Sequence, residues 1–408
     1  MKLIYVAKAR IPSEFAHGHQ IVQMCEAFAA AGVQVTLVYA RYPKSPEFET
    51  DDIWSFYGVE PAFQAESAAC LHWSWPARFL PSRLAEKWNS SWSEWLTLVT
   101  FTPSVLFRLR VEGDAIVYSR DTFLLWLISL VWPKRARRLF FEAHTYPATY
   151  LGRRFRRRLM KRIGGFVVIT EQLRSRYVKS GVEPDRLLVA HDGYRLRRFE
   201  SPDDRLLSRR QFGWEESSFV VGYAGRFHTM GMDKGIGTLL EAVAQLARDS
   251  DVRPVRLALI GGPAEDLSPL RSQLTSAGLP PGIIWYGGHV APDVVTRYLQ
   301  AFDVCTVPFP WTEHFAYYAS PMKLFEYMAS GSPIVASDLP AIAEIIQHEH
   351  NALLVPPGDA SALAGALRRL RDDPELACRL AAQAAQDVVP YAWQHRASRI
   401  VEWMRGLD

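Results

Sequence analysis

From residue 220 onward the chain alternates between apolar runs of four or five residues and stretches with helical spacing. Val220–Ala224 leads to a helix at about 236–248, and Arg256–Ile260 leads to one at about 265–277. Ile283–Tyr286 precedes a helix at about 292–301, and Val304–Val307 precedes, after a long loop, one at about 321–330. Pro333–Ala336 and Ala352–Val355 follow, each with a helix expected after it. This is the pattern of a doubly wound sheet. Parallel strands need crossovers, the crossovers are right-handed, and helices then cover both faces.

The first half repeats the pattern less regularly. Leu3–Ala7 reads as a strand, Lys8–His17 as irregular chain, and Gly18 stands before a helix whose Ile21, Met24, Phe28 and Ala31 share one face. Gly32 is placed to end that helix, and Val35–Tyr39 reads as the next strand. Ala115–Tyr118, Arg138–Glu142, Gly165–Ile169 and Leu187–Ala190 are further strand candidates. With 408 residues the chain has room for two or three domains. We expect two α/β domains in tandem with ligands bound at the carboxyl ends of their strands. The expected linker is His191–Pro202, where the charge balance changes sign. Residues 1–200 carry 29 Lys/Arg against 19 Asp/Glu, a balance of +10, and residues 201–408 carry 18 against 24, a balance of −6. A basic half of this kind points to an anionic partner on that side.

Other classes are excluded early. The longest apolar run, Leu124–Trp132, is nine residues, against roughly 20 for a membrane-spanning helix. The chain begins on a strand-like run without a signal-peptide layout. Cys25, Cys70, Cys305 and Cys378 are scattered, so neither a disulfide framework nor a zinc site is indicated, and a reducing cytoplasm is the expected location.

Two constellations carry chemistry. Gly225-Arg226-Phe227, then Lys234-Gly235, form a loop between a strand and a helix start, where unpaired N–H groups favour anions. Arg226 and Lys234 could both reach a diphosphate there, or could simply be solvated loop charges. In the second, Ser320 is a natural N-cap, Pro321 a natural first helical residue, and Gly331 a terminator. Lys323 and Glu326 share a face near the helix start. Glu326 is suited to hold vicinal ribose hydroxyls, or to pair with Lys323 at i,i+3.

The ordered set Tyr223-Ala224-Gly225-Arg226, Lys234-Gly235, Gly287-Gly288-His289-Val290 and Ser320-Pro321-Met322-Lys323-Leu324-Phe325-Glu326-Tyr327-Met328-Ala329-Ser330-Gly331 resembles the retaining, nucleotide-sugar-dependent glycosyltransferases of family 4. The resemblance extends to Val168-Ile169-Thr170, to His191-Asp192-Gly193-Tyr194 with Phe199 beyond, and to Tyr391-Ala392-Trp393. Residues 45–110 match nothing identifiable. The resemblance implies the GT-B fold: two Rossmann-like doubly wound domains facing across a cleft. Residues 1–193, completed by a terminal helix at about 392–408, would bind the acceptor, and 194–391 the donor.

The resemblance also implies roles. Arg226 and Lys234 would bind the donor diphosphate and stabilise it as a leaving group. Val290 would meet the nucleobase with its backbone, and Glu326 would hold the ribose. Ser320, Pro321, Met322, Lys323 and Leu324 would present helix N–H groups to the phosphates, and Gly18 and Gly225 would let backbone approach them. His144 stands where the family places a histidine near the transferred sugar. Many members carry a second glutamate eight positions before Glu326; here that position is Tyr318, and Glu313 lies nearby out of register. The sugar is therefore recognised differently.

No cofactor or metal is expected. Asp249-Ser250-Asp251 spells an Asp-x-Asp but follows a helix, and the Arg226/Lys234 pair can neutralise a diphosphate without a divalent ion. Family members are proposed to react by front-face substitution, with the leaving phosphate taking the acceptor's proton. The acceptor would be a glycan or lipid-linked molecule in cell-surface polysaccharide or glycolipid synthesis. Trp73, Trp75, Trp88, Trp92 and Trp95 suit either a core-facing stripe or a membrane or sugar interface. Arg153–Arg162 packs seven Lys/Arg into ten positions, which suits peripheral contact with an anionic membrane better than a nucleic-acid site. A double-Rossmann epimerase or phosphorylase and a catalytically degenerate binding scaffold are the competing readings.

Overall fold

The computed structural model describes residues 1–13, 15–42, 52–71, 93–201, 204–248 and 253–407, with backbone alone at 93–95. Trp73, Trp75, Trp88 and Trp92, the Trp95 side chain, and the Asp249-Ser250-Asp251 triplet lie outside the described residues. The chain divides into two compact units. One comprises Met1–Ile169, Leu173–Ala190 and Trp393–Asp408, and the other comprises Thr170–Gln172 and His191–Ala392.

The first unit holds β1 (Lys2–Ala7), β2 (Gln34–Ala40), β3 (Gln64–Ala68), β4 (Ile116–Ser119), β5 (Leu139–Ala143), β6 (Gly165–Val168) and β7 (Leu187–Val189). They form one parallel sheet in the order β3-β2-β1-β4-β5-β6-β7, with Tyr5 of β1 opposite Leu37 of β2 and Tyr118 of β4. Every residue of β4, β5 and β6 is buried, as expected for strands covered on both faces. β3 escaped the sequence reading because Gln64-Ala65-Glu66-Ser67-Ala68 is polar and only half-buried, the composition of an edge strand. The first helix runs Ala16–Ala30, so Gly18 lies within its first turn instead of ahead of it. The terminal helix Trp393–Gly406 packs on that first helix.

The second unit holds β8 (Phe219–Arg226), the short hairpin β9 (His228–Thr229) and β10 (Met232–Asp233), and then β11 (Val255–Gly262), β12 (Ile284–Gly288), β13 (Val304–Val307), β14 (Ile334–Ser337) and β15 (Leu353–Val355). Its parallel sheet has the order β12-β11-β8-β13-β14-β15, the doubly wound order with a switch point between β8 and β13. Side chains alternate between two cores. Val221, Tyr223, Leu257 and Leu259 face one, and Val220, Ala224, Ala258 and Ile260 face the other.

Two differences from the sequence reading concern the loops of this unit. No α-helix connects β14 and β15; the chain there makes consecutive turns, Ile342 N–H to Leu339 and Ile346 N–H to Ile342. The long loop before residue 321 contains a short helix, Glu313–Tyr317, capped by the Thr312 hydroxyl, which accepts from Phe315 N–H.

Candidate active site

At the switch point of the second unit the sheet opens. β8 pairs with β13 only through Val221–Val304 and Gly222–Cys305. Beyond that, Ala224 would lose its partners on that side. The Tyr327 hydroxyl replaces them, accepting from Ala224 N–H at 2.8 Å and donating to its carbonyl at 3.2 Å. Tyr327 belongs to the helix Met322–Ala329, so the phenol staples that helix to the end of β8. On the next turn, Lys323 lies against the same strand end.

Glycine makes this approach feasible. Gly225 has φ 127°, and a Cβ there would lie 2.8 Å from Lys323 Nζ. Gly235 has φ 83°, and a Cβ there would lie 1.7 Å from the Pro308 carbonyl oxygen just past β13. The β9–β10 hairpin thus lies down on the switch point and delivers Lys234, whose N–H donates to the Phe227 carbonyl at 2.9 Å. Asp233 closes the turn by accepting from Gly235 N–H at 2.7 Å.

Three cations meet in this region. Arg226 is exposed, while Lys234 and Lys323 are half-buried as residues. The Lys323 ammonium itself is sealed from solvent without a hydrogen-bond partner, 3.7 Å from the centroid of the Tyr223 ring. Burial, and then Lys234, hold Lys323 well below the usual lysine range. Burial and the Arg226 charge lower Lys234 to about 8. His314 is lowered by burial and by Lys234. Among the described residues no carboxylate forms an ion pair with Lys234 or Lys323. Such crowding of like charge in a dry place is relieved by loss of a proton or by an incoming anion.

Glu326 does not pair with Lys323, and no group among the described residues hydrogen-bonds to it. Burial pushes its carboxyl up, against smaller pulls down from Arg198 and Lys323. It is left as an acceptor for ligand hydroxyls. Ser320 is not the N-cap; Pro321 is, because the Ser320 hydroxyl accepts Asp192 N–H at 2.8 Å. Leu324 turns its side chain into the core and spends its N–H on the Pro321 carbonyl, so the open donors of this helix end are the Met322 and Lys323 N–H groups. Val290 follows β12 and packs half-buried against one core. At the position of the missing glutamate, the Tyr318 hydroxyl donates to Glu313 at 2.9 Å. The sequence reading gave no role to Tyr223, Tyr327 or His314. A signal for Tyr327 existed in its position one residue after Glu326 on a helix facing a strand end.

In the first unit, His144 directly follows β5, and its Nε2 lies 2.6 Å from Glu142 Oε1. Burial, and then Arg120, lower its pKa to about 4, so the ring is neutral at pH 7. Gly18 is required there by packing. A Cβ would lie 2.5 Å from the Tyr57 hydroxyl, which accepts from Ser13 N–H and donates to the Ser13 carbonyl.

The Arg-rich stretch divides in two on the helix Tyr150–Met160. Arg153 donates to the Ala148 carbonyl, Arg156 to the Thr145 carbonyl and the Tyr177 hydroxyl, and Arg162 to Ser129. Arg154, Arg157, Arg158 and Lys161 are exposed, and their i, i+3, i+4, i+7 spacing puts them on one face. Exposed Tyr150 and Leu151 head that row. In the same unit the helix Ser93–Val111 exposes Val99, Phe107 and Val111, spaced to share a face.

Two doubly wound units, one with an anion-demanding switch point, define a protein of the GT-B class. The family model described as Glycosyltransferase Family 4 matches residues 18–198, and the one described as Glycosyl transferases group 1 matches residues 218–373. The chain has the GT-B fold, and these two glycosyltransferase family models between them span most of its length. It is 29% identical over 234 residues to a D-inositol 3-phosphate glycosyltransferase of Nocardioides sp. (strain ATCC BAA-499 / JS614), covering 55% of this chain and 49% of that one. It is 27% identical over 239 residues to the enzyme of that name from Rhodococcus erythropolis, covering 58% and 52%. The chain therefore spans about half the length of these curated relatives. Among solved structures, HepE of Anabaena in complex with UDP superposes with a TM-score of 0.71 at 18% identity, covering all of both chains. Sucrose-phosphate synthase of Thermosynechococcus elongatus superposes with a TM-score of 0.72 at 20% identity, covering 100% and 99%.

Proposed function

We propose that the chain transfers a hexose from a nucleoside-diphosphate sugar to a hydroxyl of a glycan or lipid-linked acceptor, with retention of anomeric configuration. One observation carries this reading: Arg226, Lys234 and Lys323 converge on the switch point, with a sealed, unpartnered ammonium beside the unpartnered carboxylate of Glu326. A diphosphate supplies the missing anion and a ribose supplies hydroxyls for the carboxylate.

The chemistry follows. The bond between the anomeric carbon and the β-phosphate oxygen breaks with its electron pair moving to the phosphate. The acceptor oxygen bonds to the anomeric carbon on the same face, and its proton passes to the departing phosphate oxygen. Arg226, Lys234, Lys323 and the helix N–H groups of Met322 and Lys323 stabilise the charge that develops. Because Arg226 and Lys234 supply positive charge here, the reading includes transfer without a divalent ion. Val290 is assigned to the nucleobase by its backbone, Gly18 to backbone approach in the first unit, and His144 to hydrogen bonding with a hydroxyl of the sugar or acceptor.

Solved neighbours containing UDP and UDP-glucose support testing uridine donors first, with guanosine donors next. Inositol phosphate belongs in the acceptor panel because the curated relatives carry it in their names. No helix among the described residues is long and apolar enough to cross a membrane. The row Arg154, Arg157, Arg158 and Lys161 headed by Tyr150 and Leu151 supports peripheral association with the anionic inner face of the cell membrane.

The test is calorimetric titration with UDP-, GDP- and ADP-sugars, followed by product analysis with the stabilising donor and NMR of the new anomeric centre. Binding by one donor class, lost in Arg226→Ala and Lys234→Ala, with a retained anomer in the product, is expected. No binding by any nucleotide sugar would overturn the reading in favour of a scaffold, and an inverted product would overturn retention.

A further inference from the structure

Glu142 is the fourth residue of β5, a strand otherwise made of Leu, Phe and Ala, and it is 1% exposed. A buried carboxylate is costly unless its lone pairs are met. Here they are. Gln20 Nε2 donates to Oε1 at 2.6 Å, Arg396 Nη2 lies 3.3 Å from the same oxygen, and the Tyr118 hydroxyl donates to Oε2.

The polarity of these contacts is set from outside. Arg120 can only donate, and its Nη1 lies 3.3 Å from Gln20 Oε1. The Gln20 amide therefore turns its NH2 toward Glu142. Arg396, held at the Ala190 carbonyl by its Nη2 at 3.2 Å, can also only donate. Glu142 is thus surrounded by donors, and Arg396, His144 and Arg120 hold its carboxyl well below the usual range against the cost of burial. An ionised carboxylate only accepts, so the proton in the His144 contact resides on Nε2.

We propose that Glu142 is a positioning residue that fixes His144 as the Nε2–H tautomer, leaving Nδ1 to accept a hydrogen bond from a hydroxyl of the sugar or acceptor. Among the described residues nothing hydrogen-bonds to Nδ1. The hydroxyl partner rests on the transfer reading; the tautomer does not. The same network gives the terminal helix a role in the site. Arg396 arrives from Trp393–Gly406 and contributes positive charge to the carboxylate that orients the histidine.

The test begins with the wild-type protein. Long-range proton–nitrogen NMR on 15N-histidine-labelled protein, with the ring assigned by its loss in His144→Asn, reads the tautomer directly. A pyridine-like Nδ1 and a protonated Nε2 at pH 7 are expected. A protonated Nδ1 would overturn the proposal. In Glu142→Leu no acceptor meets Nε2–H, so the ring is no longer held in one tautomer. The ring spectrum should then cease to show Nε2–H alone and kcat should fall about ten- to a hundredfold, the effect of one lost partner of a buried polar group, with UDP affinity unchanged. Glu142→Gln keeps an acceptor oxygen at the Oε1 position, where Arg396 can only donate, and should hold the wild-type tautomer. A released ring with wild-type kcat would refute the positioning role. Should Glu142→Leu fail to fold, the wild-type spectrum still decides the tautomer. Should no donor and acceptor pair react at all, the transfer reading fails while the ring assignment is judged by its own spectrum.

Discussion

Lys234 should make donor binding depend on pH in a way that one substitution removes. Burial and then Arg226 lower its pKa to about 8. The ammonium is then about nine-tenths populated at pH 7 and about one-tenth at pH 9. If the diphosphate binds the protonated form, the apparent affinity scales with that fraction. Lys234 alone therefore weakens UDP binding about tenfold between pH 7 and 9. The phosphates contribute little to this change, since their last ionisation lies near pH 6. Lys234→Arg keeps its charge throughout. The measurement is the ratio of UDP dissociation constants at the two pH values, by calorimetry, for wild type and Lys234→Arg. Lys323, which the Lys234 charge also lowers, is removed from the comparison by placing Lys323→Met in both backgrounds. Wild type should lose about ten times more affinity than the variant, and parallel losses would refute the reasoning. The same shift has a stability consequence of defined sign. The folded-state pKa is depressed from 10.5 to about 8, so the unfolded chain holds the extra proton between those values. Stability of the ligand-free protein from this group rises with pH across that window, by about 3 kcal/mol in full. Lys234→Met should accordingly raise the Tm of the empty protein at pH 7 while abolishing stabilisation by UDP.

Three further outcomes follow from the geometry. Glu326→Gln should reduce the preference for UDP over its 2′-deoxy analogue from about ten- to a hundredfold to near unity, measured by competitive calorimetry, because the carboxylate has no other partner to satisfy. Gly235→Ala combines a φ of 83° with a Cβ 1.7 Å from the Pro308 carbonyl, so it should lower the denaturant midpoint and weaken UDP binding together. A change in neither would show that the loop does not rest on Pro308. Replacing Arg154, Arg157, Arg158 and Lys161 with Glu should abolish co-sedimentation with anionic vesicles and leave UDP affinity intact; equal wild-type binding to neutral and anionic vesicles would sink the electrostatic docking.

What could be read from the sequence follows the range of the interactions involved. The strands of the second unit announce themselves because both faces of each are buried, so their apolar runs are continuous. β3 does not, since an edge strand needs no such run. The missing helix between β14 and β15 shows the opposite failure: alternation suggested a helix, and the chain makes the connection with consecutive turns instead. At the site, Arg226, Lys234, Lys323 and Glu326 were visible because loop and helix-terminus chemistry is local. Their relations were not. The i,i+3 spacing offered a Lys323–Glu326 pair, yet Lys323 turns instead to the ring of Tyr223, a residue 100 positions earlier in the chain. The Glu142 network lies furthest from any local pattern. A lone glutamate in Leu-Phe-Phe-Glu-Ala reads as an interruption of a strand until Gln20, Tyr118 and Arg396 are brought to it from three distant segments. Glu142 has no evident packing reason to be a carboxylate, and burying one at that depth is unfavourable without such partners. The arrangement is intelligible as a means of holding the adjacent histidine ring in one protonation state, which is why the tautomer of His144 is the more discriminating measurement than the stability of a Glu142 variant.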